Sequence, residues 1–238
     1  MRRIKESELK KLSEFIIEQF WEKEEMQQMF KGFNEKRAKK IATNLSYSEL
    51  LYMYKKGDIF IYDNNITGAI VGIDPKKLLT IQRLFIALKS NKILKELSKE
   101  EINLLKENTV LIKEVHSNKW FKKYCKNPYY FAQFGIEKEK RGQGIARKML
   151  ENFFEYVKQN YDYIVLETLT DSNVAMYEHF GFEIKETVET KNKELKEYRM
   201  IKKLNSPKQK LISFGKLSEN DVENSINNVV EEIDNILK

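Results

Sequence analysis

Apolar residues along this chain change their spacing several times, and each change marks an element. Leu9, Leu12, Phe15, Ile16 and Phe20 recur at three and four, the stripe of an amphipathic helix, with Arg2 to Glu6 read as a short strand before it and Ser7 as its cap. A helical pattern then runs from residue 25 to 56 through Met26, Met29, Phe30 and Phe33, then Ile41, Leu45, Leu50, Leu51 and Tyr54. Gly57 stops it. The stretches DIFIYD and ITGAIVGID, joined at Asn64-Asn65 and ended by Asp74-Pro75, predict a hairpin. From Lys76 the pattern is helical again through Leu78, Ile81, Leu84, Phe85 and Leu88, and Ser98 and Glu101 stand at capping-box spacing before Ile102 and Leu105. Roughly fifty residues between strands is too long for a structureless loop, so a helical insertion is expected over about 76–127.

Next comes a strand in which Tyr130, Ala132, Phe134 and Ile136 alternate with Tyr129, Phe131, Gln133 and Gly135. Apolar or aromatic residues on both faces predict a strand inside a sheet. After a basic turn, Ile145, Met149, Leu150, Phe153, Phe154 and Val157 return to helical spacing. Residues 161 to 170 predict another strand, with Ile164 and Leu166 on one face and Val165 and the acid Glu167 on the other. Asp171-Ser172-Asn173 opens a short helix that Gly181 closes, and a final hairpin runs through FEIKETVET and LKEYRMIKKL. This order is α/β with mixed strand pairing over residues 1–205. Residues 206–217 read as a linker, and 218–238 as an amphipathic helix. Its seam, Val222, Ile226, Val229 and Ile233, suits either its own body or a second copy in a homodimer.

Composition narrows the function classes. Cys125 is the only cysteine and His116 and His179 the only histidines among 238 residues, which leaves no material for a disulfide or a His/Cys metal cluster. The apolar run Phe15 to Ile17 ends at Glu18, too short for an export signal, and no window reaches the ~20 apolar residues of a membrane span. A cytoplasmic protein without membrane association is expected. The net charge of +7 is uneven: residues 206–238 hold four lysines against six acids, and Lys76 to Lys126 hold thirteen basic against five acidic residues. Such a field attracts polyanions, although a solvated lysine-rich face is its commoner meaning. Trp120, Phe121 and Tyr124, interleaved with lysines, suit either a nucleic-acid stacking surface or a partly buried amphipathic segment or lid. His116, one turn beyond Ile112, reads as structural.

Candidate chemistry sits in the turn Arg141-Gly142-Gln143-Gly144-Ile145-Ala146, within which a helix begins. First-turn amides have no partner inside a helix, the macrodipole is positive there, and small residues let an anion reach the backbone. A pyrophosphate fits, and so does a plain strand-to-helix turn.

That stretch resembles the acetyl-CoA signature of GNAT N-acetyltransferases: Gln or Arg, two residues, Gly, one residue, then Gly or Ala. Downstream, NVAMYEHFGF at Asn173 to Phe182 is similar to the family's second motif. The resemblance implies a GNAT fold, a central mixed but mostly antiparallel sheet flanked by helices. It further implies that backbone groups of Phe134, Gly135 and Ile136 hold the pantetheine arm of acetyl-CoA. The turn, Arg141 with Gly142, Gln143, Gly144, Ile145, Ala146 and Arg147, would hold the pyrophosphate, and Asn173 would touch the coenzyme. Tyr177 stands where the family often has the acid that protonates the departing thiolate, and packing against Phe180 and Phe182 is its structural reading. Glu167 stands where some relatives place the base that takes a proton from the amine, against the reading of a satisfied, partly buried carboxylate. The Asn173 to Tyr177 interval is shorter than in many members. The long segment before the central strand, with IVGIDP at Ile70 to Pro75 and LET at Leu166 to Thr168, resembles the puromycin-type small-amine acetyltransferases. The function implied is direct transfer of acetyl from acetyl-CoA to a primary amine of a small molecule. The alternatives are a nucleic-acid-binding module built on residues 76–126 and a GNAT protein that binds acyl-CoA without turnover. Cys125 has no sequence-adjacent activator and is not a candidate nucleophile.

Overall fold

The structure, a computed structural model, describes residues 1–78, 96–117 and 119–205. It divides into two units, Met1–Ser206 and Pro207–Lys238. The linker and C-terminal helix expected over 206–238, and the helical stripe expected from Ile81 to Leu88, lie outside the described residues.

Seven strands form one sheet in the order β1-β2-β3-β4-β5-β7-β6. They are β1 (Arg2–Arg3), β2 (Asp58–Ile61), β3 (Gly68–Ile73), β4 (Pro128–Ile136), β5 (Tyr163–Thr168), β6 (Glu183–Glu189) and β7 (Lys196–Lys203). Every pairing is antiparallel except β4 with β5, so the expected mixed, mostly antiparallel sheet is present. The described α-helices are α1 (Leu9–Phe20), α2 (Glu24–Met29), α3 (Glu35–Lys56), α4 (Lys99–Val115), α5 (Ile145–Val157) and α6 (Asp171–His179).

Each face of the sheet buries its own apolar layer. On one face the stripe of α5, Met149, Leu150, Phe153 and Val157, packs on Ile70, Tyr129, Phe131, Ile164, Leu166 and Met200. On the other, Leu9, Leu12, Ile16, Leu50 and Met53 of α1 and α3 cover Ile59, Ile61, Ala69, Val71 and Ile73. Beside that layer Trp120, Phe121 and Cys125 cover Val165 and Ile201 of β5 and β7. The expected alternation in β5 is therefore present, with Ile164 and Leu166 on one face and Val165 on the other.

Three local readings need correction. Ser7 does not cap α1; it lies inside a short 3-10 turn, Glu6–Glu8, and Glu8 accepts from the Lys5 amide at 2.9 Å. The pattern over 25–56 is two helices, because Gly32 takes a left-handed φ of 83° and Asn34 caps α3 by accepting from the Arg37 amide. The Ser98–Glu101 capping box does open α4, with both reciprocal bonds formed.

The third correction bears on the site. β4 does not alternate along its length: Val71 is opposite Gln133 and Gly72 opposite Phe131, so Ala132 is an extra residue in the ladder. Such a bulge reverses which face the side chains take beyond it. Tyr129 and Phe131 before it, and Phe134 and Ile136 after it, accordingly all pack on the α5 side. Gly72 is needed at this kink, because a Cβ there would come within 2.4 Å of the Tyr129 ring.

A candidate coenzyme and acceptor cleft

β4 and β5 separate partway along their length. They pair in parallel only at Pro128–Tyr163, Tyr129–Ile164 and Tyr130–Val165. From Phe131 onward the edge of β4 that had faced β5 has no strand partner, and it therefore presents unpaired backbone groups to whatever enters the gap. Phe134, Gly135 and Ile136, the expected pantetheine contacts, are on this stretch.

The gap opens as a cleft of about 120 Å³ lined by Phe131, Ala132, Gln133 and Phe134 of β4, Glu167 to Thr170, Asn173 and Tyr177 of the β5–α6 segment, and Phe20, Lys23, Glu24 and Glu25 from α1 and α2. Lining residues come from both faces of the sheet, so the cleft joins the α5–α6 side to the α1–α2 side. A larger cavity, about 430 Å³, sits at the other end of β4 between Asp74–Lys76 and Lys119–Pro128, and no expected site residue lines it.

At the end of β4 the chain enters the basic turn. Gly142 and Gly144 adopt left-handed φ values of 78° and 76°, and Gly144 is the N-cap of α5 with no side-chain cap. The first backbone bond of α5 is Lys148 N–H to Gly144 O at 3.1 Å, and the amides of residues 142 to 147 make no hydrogen bond among the described residues. Six consecutive donors thus surround an exposed helix N-terminus, and around Gly142 and Gly144 a Cβ would meet nothing within 4 Å. These features fit a pyrophosphate approaching the backbone directly. The side chains of the turn are directed elsewhere. Arg141 donates to Ile136 O at 3.1 Å and to Gln19 at 3.2 Å, tying the turn to β4 and α1. Gln143 donates to Glu139 O, and Arg147 contacts the His179 ring. Ile145 is buried in the α5 core, and Ala146 packs against its edge.

Tyr177 is only 8% exposed. Its ring packs edge-on against Phe131 and Phe182, and its hydroxyl has no hydrogen bond among the described residues. Burial raises its pKa, so it keeps its proton at neutral pH. Core packing and a place in the cleft hold together for this residue. Asn173 donates to Thr168 Oγ1 at 3.1 Å.

Glu167 lies at the other wall. One carboxylate oxygen accepts from the Trp120 indole N–H and the other from the Tyr130 hydroxyl at 2.6 Å. Burial raises its pKa above the ordinary glutamate range, and Glu197 adds to the rise. The bonds from Tyr130 and Trp120 and the nearby His116 oppose it. Each oxygen retains a lone pair for a further donor. By sequence neither Trp120 nor Tyr130 stands out as a partner of Glu167; the β4–β5 register, which places Tyr130 opposite Val165, and the packing of Trp120 on β5 bring them to it. Trp120 and Phe121 are interior, 5% and 3% exposed, which removes them as a surface for stacking bases. His116 Nδ1 is 3.5 Å from Glu197, a partner in a polar cluster. Cys125 is buried, and its thiol is pushed up to about 11 by that burial, so it is no ready nucleophile.

Among the described residues no helix is long and apolar enough to cross a membrane, and no cluster of His, Cys, Asp or Glu is arranged to hold a metal ion.

Residues 92–184, which include β4, the turn, α5, β5 and α6, match the family model described as acetyltransferase (GNAT) domain. No curated protein sequence matches the chain. Among solved structures, an N-acetyltransferase from Staphylococcus aureus Mu50 is similar at 18% identity and TM-score 0.53, covering 84% of this chain and 98% of that one. The structure of a histone acetyltransferase HPA2 and related acetyltransferase from Corynebacterium glutamicum is similar at 12% identity and TM-score 0.55, over 89% and 97% of the two chains. At these identities the likeness is one of fold. The fold, the uncapped glycine turn and the family model agree on a GNAT acetyltransferase domain over residues 92–184.

Proposed function

We propose that the protein transfers an acetyl group from acetyl-CoA directly to a primary amine of a small molecule. The observation that carries this reading is the cleft through the sheet, lined by Phe134 and Tyr177 of the α5–α6 side and by Glu167 and the α2 residue Glu25, in a fold whose α5 begins with orphaned amides. Bound acetyl-CoA supplies an activated acetyl thioester. The amides of residues 142 to 147 hold its pyrophosphate, and the unpaired edge of β4 at Phe134, Gly135 and Ile136 holds its arm as an added strand would be held. Holding two reactants in one cleft in attack geometry accounts for much of the rate advantage, and no covalent enzyme intermediate is required.

Glu167 takes the proton of the attacking amine, directly or through water. Its burial fits that task, because a base works best when its pKa approaches the operating pH. Tyr177, neutral and buried, gives a hydrogen bond or a proton to the departing thiolate. Asn173 contributes orientation near the coenzyme through its bond to Thr168.

Screening amines for release of free thiol supplies an acceptor. With one in hand, Tyr177→Phe is expected to keep the fold and the coenzyme affinity while turnover falls by ~10²–10⁴, the usual range for acid–base groups. Wild-type turnover by Tyr177→Phe, where chemistry limits the rate, returns Tyr177 to packing alone. Binding of acetyl-CoA with no thiol release across the amine panel sinks the transferase reading.

A further inference from the structure

The acceptor side of the cleft holds more negative charge than a single reacting amine needs. Of the charged residues that line it, Lys23 and Glu24 offset each other, leaving Glu25 and Glu167. Glu167 has neutral donors on both oxygens. Glu25 has none: among the described residues it forms no hydrogen bond or ion pair, and the charged groups that act on it are His116 and Glu197. Glu197 is itself buried and shares Arg199 with Glu186, while the third nitrogen of Arg199 goes to Val115 O. All three nitrogens of the guanidinium are thus engaged, and His116 is already beside Glu197. Gln133, on the same cleft, adds an independent sign. Its Oε1 is enclosed and meets no donor.

A half-buried carboxylate without a protein partner and an enclosed amide oxygen without a donor share this cleft, and the enclosed oxygen is costly unless something supplies an N–H group. Among the described residues, none does. Three carboxylates, Glu24, Glu25 and Glu167, line the cleft against the single cation Lys23, and that excess is the complement of a ligand that carries positive charge. Taken with the amine-acceptor reading of the cleft, on which it rests, we infer a second cation subsite at Glu25. The acceptor class is then a small flexible molecule with at least two ammonium groups, one nitrogen at Glu167 and another at Glu25 and Gln133.

The test is calorimetric titration of the full chain with a ladder of linear α,ω-diamines and the monoamines of matching length. At the length that spans the two carboxylates, the diamine is expected to bind at least about tenfold more tightly than its monoamine, the size of one charge-assisted hydrogen bond. In Glu25→Gln this ratio is expected to collapse toward one. An unchanged ratio in Glu25→Gln overturns the subsite, and so does a wild-type ladder with no diamine advantage at any length, which decides the matter even if the variant does not fold. The outcome separates from that of the transferase reading. Monoamine acetylation without a diamine advantage sinks only the subsite, whereas a Glu25-dependent diamine advantage without thiol release sinks only the transferase.

Discussion

At the scale of single residues, the chemistry of Glu167 depends on two neighbours that oppose its burial. The hydrogen bond from Tyr130 stabilises the charged carboxylate and lowers a pKa that burial has raised. Tyr130→Phe removes that bond, so the folded pKa of Glu167 must move further up. A base fails when protonated, and the acidic limb of the kcat/KM profile is therefore expected to shift to higher pH in Tyr130→Phe, with the plateau above it retained. A limb that stays in place, or moves down, removes Glu167 as the base. Glu167 itself was legible in the sequence, because an acid inside an apolar strand has few bland explanations. Tyr130, Trp120, Glu25 and Gln133 were not, since each gains its meaning from surroundings distant in sequence that only strand register and helix placement bring near. Tyr177 was legible as both packing and chemistry, and its surroundings keep both.

At the scale of elements, the strand-to-helix turn and the bulge in β4 do separate jobs. Ala132 kinks β4 and reverses its faces, and the strand then separates from β5 beyond Tyr130. Periodicity could not reveal this, because an aromatic-rich strand with apolar residues on both faces looks regular whether or not a residue is inserted. The turn, by contrast, was readable from its glycines. Gly142 and Gly144 are required by backbone conformation and not by crowding, since their Cβ positions are open. A β-branched residue at 144 would carry a left-handed φ at a cost of about 1–3 kcal/mol and would put its side chain where an anion must approach. Gly144→Val is accordingly expected to fold with reduced stability and to lose the rise in melting temperature that coenzyme A gives the parent chain. A folded Gly144→Val protein that keeps the full rise refutes the phosphate-turn assignment.

At the scale of the molecule, every described part of the candidate site belongs to the first unit, Met1–Ser206, and so do the buried layers on both faces of its sheet. The last described strand ends at Lys203, and Leu204 closes against the core with its amide bonded to Asp162 O. Residues 207–238 add net negative charge to a chain that is otherwise strongly basic, so their removal raises the field that draws in an anionic coenzyme. A chain ending at residue 205 is therefore expected to fold and to respond to coenzyme A. A ligand that binds only the folded state stabilises it by about 2.7 kcal/mol at a concentration one hundred times its Kd. For a chain of this size that is a rise of roughly 5–10 °C. Because the attraction is electrostatic, the truncated chain should bind coenzyme A at least as tightly as the full chain at low salt, and the difference should vanish as salt screens it. If the truncated chain folds but no longer responds to coenzyme A, residues 206–238 contribute to the coenzyme site, and the assignment of that site to the turn and the β4 edge alone is wrong.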